Sequence, residues 1–166
     1  MKYFTLILLC AFALSGCGRL VKVPEQERMF RKVFDVQLSK NEIYDRALEW
    51  CAKKLSKVSD DIIVKNKEGG KIIAKGTGKY SEYFDFLVDR EFSYNITIEV
   101  KDNRYRVTFD NFTIYYDERQ IKSGPAEYRF EIEQMGKKLN KLMDDLRDYV
   151  SRGAVQKDKQ KQEEEW

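Results

Sequence analysis

Glu91–Tyr116, EFSYNITIEVKDNRYRVTFDNFTIYY, decides the fold of this chain. From Glu91 to Val100 the residue types alternate strictly. Phe92, Tyr94, Ile96, Ile98 and Val100 share one face, and Ser93, Asn95, Thr97 and Glu99 share the other. A period of two is the signature of a strand with one buried side. Asp102-Asn103 follows, two residues that tolerate positive φ, and predicts a tight hairpin turn. That turn sets the register: Val100 opposite Tyr105, Ile98 opposite Val107 and Ile96 opposite Phe109, all on the buried face. Glu99 then meets Arg106 on the open face, an exposed pair worth a few tenths of a kcal/mol at most. The apolar parity slips between Phe109 and Phe112, and one extra residue at Asp110-Asn111 predicts a β-bulge.

Working outward, Asp61–Asn66 and Lys71–Gly78 read as a second hairpin around the Gly-rich turn Asn66–Gly70. Arg28–Leu38 reads as a first strand, with Phe30, Phe34, Val36 and Leu38 on one parity. Ser39-Lys40-Asn41-Glu42 is a capping box, in which Glu42 can reach back to the Ser39 amide. The helix it opens is predicted to run to about Val58, with Ile43, Ala47, Trp50, Cys51, Leu55 and Val58 as its apolar stripe. Lys53, Lys54 and Lys57 load its last turns, where cations suit the dipole. Asp117–Pro125 reads as a polar loop. A last helix is expected to end near Val150, with Tyr128, Ile132, Met135, Leu139, Leu142, Leu146 and Tyr149 spaced by four and three. Such a stripe suits a coiled-coil seam or, more commonly, a helix lying on a sheet. Gly153 is placed to stop that helix, and the Lys/Gln/Glu-rich residues 153–166 read as a polar tail. No internal repeat is visible. The expected order is β-α-β-β-β-β-α, an α+β fold whose antiparallel sheet carries two helices on one face.

The N-terminus says where such a domain would live. Lys2 precedes the apolar run Tyr3–Leu14, which is far short of the roughly 20 residues a bilayer span needs. Leu14-Ser15-Gly16-Cys17 closes the run and resembles the lipobox of bacterial lipoproteins. The resemblance implies cleavage after residue 16, a diacylglycerol on the Cys17 sulfur and usually a further acyl group on the new N-terminus. It makes residues 1–16 a signal peptide and residues 17–27 a lipidated tether, ahead of a single domain at 28–152. Gly18 is not the Asp that retains some such lipoproteins at the inner membrane, which points to the outer membrane. Two or three acyl chains would hold the protein firmly. Cys10 would leave with the signal and Cys17 would carry lipid. Cys51 would then be the sole cysteine, with no disulfide to form.

The element order, the lipobox, the helix Ile43-Tyr44-Asp45-Arg46-Ala47-Leu48-Glu49-Trp50 and the strand Ile72-Ile73-Ala74-Lys75-Gly76-Thr77-Gly78 together resemble a bacterial lipoprotein family of unknown function. That family's fold is like that of the TATA-box-binding protein. The likeness spans roughly Phe30–Val150. It implies a fold and no activity, and the DNA-binding role of the namesake does not carry over to an exported, lipid-anchored domain.

Composition narrows the chemistry. Lys and Arg number 31 against 28 Asp and Glu, a net charge of only +3, which argues against a nucleic-acid footprint. The chain has 0 His, which removes the commonest general base and metal ligand. Gly76-Thr77-Gly78-Lys79 only hints at a phosphate loop. Ile73 stands where the pattern wants Gly, and Tyr80 where it wants Ser or Thr. Those glycines are better read as a bulge or a place where another backbone approaches closely. Asp60-Asp61 and Asp144-Asp145 are adjacent pairs, so their carboxylates diverge rather than converge. Asn95-Ile96-Thr97 and Asn111-Phe112-Thr113 match the glycosylation sequon but read as strand residues in a bacterial protein. Cys51 among apolar helix positions reads as a buried, inert thiol.

Tyr80–Leu87, YSEYFDFL, stands apart. Its aromatics either extend two strands and cap the core, or form a lip in which Tyr80, Tyr83, Phe84 and Phe86 touch a ligand or partner. No catalytic residue, metal site or cofactor is expected. The chain reads as a non-catalytic binding or scaffolding domain, held at a membrane by its lipid and open to an envelope protein partner. The alternatives are a hydrolase using Asp, Glu or Tyr, and a carrier of a small apolar ligand.

Overall fold

The computed structural model describes residues 21–55, 62–83, 87–117 and 119–164, with side chains of the last helix as far as Arg152. Leu14, Ser15, Gly16, Cys17, Asp60, Asp61, Phe84 and Phe86 lie outside the described residues.

The decisive hairpin forms as its alternation requires. Strands β4 (Leu87–Lys101) and β5 (Arg104–Tyr115) pair with Val100 opposite Tyr105, Ile98 opposite Val107, Ile96 opposite Phe109 and Glu99 opposite Arg106. Asn103 turns the chain at φ 62°. The extra residue sits at Asn111, φ 53°, where pairing steps from Asn95–Asp110 to Ser93–Thr113. Beside β4 runs β3 (Lys71–Tyr83), and beside that β2 (Ile62–Asn66). On the other side β5 takes β1 (Phe30–Asp35) along its first half and β6 (Ser123–Pro125) along its second, with the bulge between them. The sheet order is β1-β5-β4-β3-β2, with β6 off that path against β5.

Helix α1 (Lys40–Lys54) starts at the capping box. The Ser39 N–H and Oγ donate to Glu42 Oε2 at 3.1 and 2.6 Å. Helix α2 (Arg129–Glu164) lies with α1 on the face carrying Tyr94, Ile96 and Ile98. Trp50, Phe92, Ile96, Phe109, Met135 and Leu139 fill the layer between sheet and helices, each fully buried. The Trp50 indole N–H donates to Asp145 Oδ2 at 2.8 Å and ties the helices together. Asp144 instead faces Lys32 and Arg147. The two adjacent carboxylates thus serve separate contacts, as their divergence requires.

Five expectations change. The first is the polar loop, which contains β6; three residues of Ser-Gly-Pro carry no alternation, so the pairing is a tertiary effect. The second is Gly153, which does not stop α2. The helix continues to Glu164, because one glycine costs only about 1 kcal/mol and the Lys, Gln and Glu that follow are good helix formers. The third concerns the α2 stripe: Met143 and Val150 are buried where Leu142 and Tyr149 are only partly so. At 3.6 residues per turn a straight helix drifts off a seven-residue repeat, so the stripe rotates along the helix. The fourth is the tether. From Val21 on it is seated on the domain: Val23 is buried, its N–H donates to the Glu127 carbonyl at 2.8 Å, and Lys22 bridges Tyr128. The fifth is the pair Gly76 and Gly78. What comes nearest is not a backbone but a ring: Tyr94 and Phe92, their cross-strand partners, lie over the bare Cα atoms and occupy the space a side chain would take.

Candidate functional site

Among the described residues, helices cover one face of the sheet and leave the other bare. The bare face is built by the polar parity of β3, β4 and β5, aligned in rows by the register. Lys71–Glu99–Arg106, Ile73–Thr97–Thr108, Lys75–Asn95–Asp110, Thr77–Ser93–Thr113 and Lys79–Glu91–Tyr115 run across it. The bulge is what keeps Thr113 and Tyr115 on this side, in line with Ser93 and Glu91.

Charged pairs hold the two ends of the platform and hydroxyls and amides fill its middle. Arg106 donates to Glu99 at 2.8 and 2.6 Å, and Lys79 meets Glu91 at 2.6 Å. Between them Ser93 Oγ and the Tyr115 hydroxyl lie 3.3 Å apart, and Arg31 Nε donates to Thr108 Oγ1 at 3.3 Å. Burial pushes the Asp110 carboxyl upward, against the pull of Arg31. Two open clefts indent this face. One, of about 460 Å³, is bordered by Val33, Gly70, Lys71, Glu99, Lys101 and Arg104. The other, of about 480 Å³, is bordered by Lys75, Thr77, Ser93, Asn95, Thr113 and Tyr115. Such a surface offers donors and acceptors in a fixed grid, with a charged pair at each end. Among the described residues β2 pairs with β3 as far as Ala74.

The aromatic segment resolves into separate roles. Tyr80 lies on the helix side of β3, 3% exposed, its ring 6.1 Å from that of Phe92. Tyr80 thus faces the core rather than a lip, while Tyr83 is 66% exposed at the end of β3. Glu82 is buried beside Arg90, which meets it at 3.3 Å and donates to the Tyr116 carbonyl at 3.0 Å. Glu131, also buried, accepts the Glu127 and Tyr128 N–H groups at the start of α2. Cys51 is fully buried, and burial pushes its thiol up to about 12. No cluster of Cys, Asp and Glu suited to a metal occurs among the described residues. The sequence alone assigns Ser93, Asn95 and Thr113 to strands and no more. The polar parity was visible there, but their convergence depends on the bulge and the pairing.

A family model described as "Domain of unknown function (DUF4468) with TBP-like fold" matches residues 30–115. The chain belongs to the DUF4468 family. The match runs from β1 through β5, so the bare sheet face and α1 fall inside the DUF4468 unit and α2 outside it. Two solved structures have the same fold. A DUF4468 family protein from Bacteroides ovatus ATCC 8483 is 23% identical at TM-score 0.52, with 66% of this chain and 67% of that one covered. A TBP-like protein from Parabacteroides distasonis ATCC 8503 is 18% identical at TM-score 0.58, with 76% of this chain and 96% of that one covered. No curated protein matches the chain.

Proposed function

We propose that this DUF4468 protein is a lipid-anchored envelope protein, acylated at Cys17, whose domain works without catalysis by binding or scaffolding a partner at the membrane surface. The observation that carries the binding role is the bare sheet face, with its rows of hydroxyl, amide and charged groups set in register. The Leu14–Cys17 motif supports the anchor, and Gly18 favours the outer membrane. Side chains fill the layer between sheet and helices, which favours recognition on the surface over a small apolar cargo inside.

A photo-reactive residue at Asn95 in native envelopes is expected to cross-link a partner, and Ser93→Arg is expected to abolish that product while the fold is kept. Cross-linking from Lys141, on the outer side of α2, with none from Asn95 would refute the assignment of the sheet face. Cys17→Ala should leave an uncleaved precursor; a variant that still matures and fractionates with membranes would refute the anchor.

A further inference from the structure

We propose that the end of the sheet carrying Tyr83, Leu87, Tyr116 and Ile121 is a second membrane contact that seats in the lipid headgroups beside the acyl anchor. This rests on the reading of Cys17 as acylated. Among the described residues, five of the eight large apolar side chains left in solvent are at this end, while Met29, Val33 and Ile63 lie elsewhere. Tyr83 is 66% exposed, Leu87 68%, Tyr116 42%, Ile121 74% and Val21 42%.

The topology brings them together. Tyr83 and Leu87 form the last pair of β3 and β4, four residues beyond the Lys79–Glu91 row at which β5 ends with Tyr115. At about 3.3 Å per residue that hairpin projects about 13 Å past the end of β5. The 116–122 loop leaves β5 at the same end. It is closed by Tyr116 N–H on the Lys122 carbonyl at 2.8 Å and by Asp117, which accepts the Ile121 and Lys122 N–H groups at 2.8 and 3.1 Å. Arg90 pins loop to hairpin through Glu82 and the Tyr116 carbonyl, and its guanidinium lies 5.4 Å from the Tyr116 ring centre. The exposed apolar groups therefore stand on one braced edge.

The chain also enters here. Val21 accepts the Arg129 N–H at 2.9 Å, at the first turn of α2. In that turn Glu131 lies close enough to Glu82 and Tyr116 for their charges to interact. Cys17 precedes Val21 by four residues, a reach of at most about 14 Å. A lipid on Cys17 thus brings this end of the domain, and not the opposite one with Val33 and Arg104, to the headgroups. Tyrosines beside aliphatic side chains suit that boundary, where one end of the ring is apolar and the other wet. Acidic and basic groups both surround the patch, so the contact is apolar wedging rather than attraction to anionic lipid.

The test uses the full processed chain in vesicles of phosphatidylethanolamine and phosphatidylglycerol, with and without brominated acyl chains. Leu87→Cys, Ile121→Cys and, at the far end, Val33→Cys each carry an environment-sensitive maleimide fluorophore; Cys51 is buried and does not compete for it. Brominated lipid is expected to quench the Leu87 and Ile121 labels several-fold more than the Val33 label. Equal quenching at all three positions, or none, overturns the contact while the acylated mass of the Cys17 peptide leaves the anchor standing. An unacylated Cys17 overturns both. Absence of quenching together with Leu87→Cys to Leu87→Cys cross-links assigns this end to a second copy of the chain and likewise overturns the proposal.

Discussion

Replacing Gly76 by alanine should destabilise this domain, although alanine in place of a strand glycine ordinarily helps. Gly76 has no positive φ, so its backbone accepts alanine without strain. The obstacle is Tyr94. Its ring lies over the Gly76 Cα, and an added methyl would meet the ring carbons and hydroxyl. The ring has nowhere to go: Tyr94 is 2% exposed and sits between Phe92 and Phe109, with centroids at 5.8 and 5.2 Å. Overpacking of a closed core costs about 1–3 kcal/mol. Lower entropy of the unfolded chain returns about 0.4–1 kcal/mol. The net loss lies within about 0–2.6 kcal/mol and centres on about 1.3 kcal/mol, a fall in Tm of roughly 3–5 °C for a domain of this size. Urea unfolding followed by circular dichroism at pH 7 measures it. The double-mutant cycle with Tyr94→Leu is the sharper assay. Without the ring, Gly76→Ala should become neutral or stabilising, with a coupling of about 1–3 kcal/mol. Gly76→Ala as stable as the parent, or additivity with Tyr94→Leu within about 0.5 kcal/mol, would refute the ring-over-glycine account.

The remaining predictions concern charge. The Trp50 N–H, with help from Lys54, holds the Asp145 carboxyl below the usual carboxylate range. Its contribution is therefore present above the unfolded value of about 4 and is lost as pH falls through the lower folded one. Asp145→Asn should flatten the acid limb of a stability–pH curve below about pH 4; an unchanged limb would count against the bond. Glu131 is the opposite case: burial raises its carboxyl, with Glu82 adding to the effect, while the capping N–H groups pull it down. The protonated form is favoured by folding, so stability is lost as pH rises from about 4.3 through the folded value. Glu131→Gln keeps an acceptor for the Glu127 and Tyr128 N–H groups without a charge to desolvate. Its stability relative to the parent should improve from pH 4 to pH 7, and chemical denaturation at both values would expose a trend in the other direction.

Much of the architecture was legible in one segment. The alternation of Phe92–Val100, the Asp102-Asn103 turn and the slip at Asn111 specify strand, register and bulge, because a period-two pattern can bury only one face and a two-residue turn admits one pairing. Ser39 with Glu42 likewise marks the start of α1, since capping is local chemistry. The site was half legible. Ser93, Asn95 and Thr97 are visibly the polar parity of a strand, but nothing along the chain says that no helix will cover them.

What the sequence determined by itself is the set of local choices: which residues alternate, where the chain turns, where a helix can begin, and the lipobox-like Leu14–Cys17. What only the tertiary structure decided is what each choice meets. Gly76 and Gly78 read as a bulge or a close backbone approach within a strand and became seats for the rings of Tyr94 and Phe92. Ser123–Pro125 became a strand because β5 had an unfilled edge beyond β1. Tyr80 turned inward and Tyr83 outward, since strand parity continued through residues whose aromatics suited either a strand or a lip. Pairing and packing act between residues far apart in the chain, so their outcome is written in no single stretch of it.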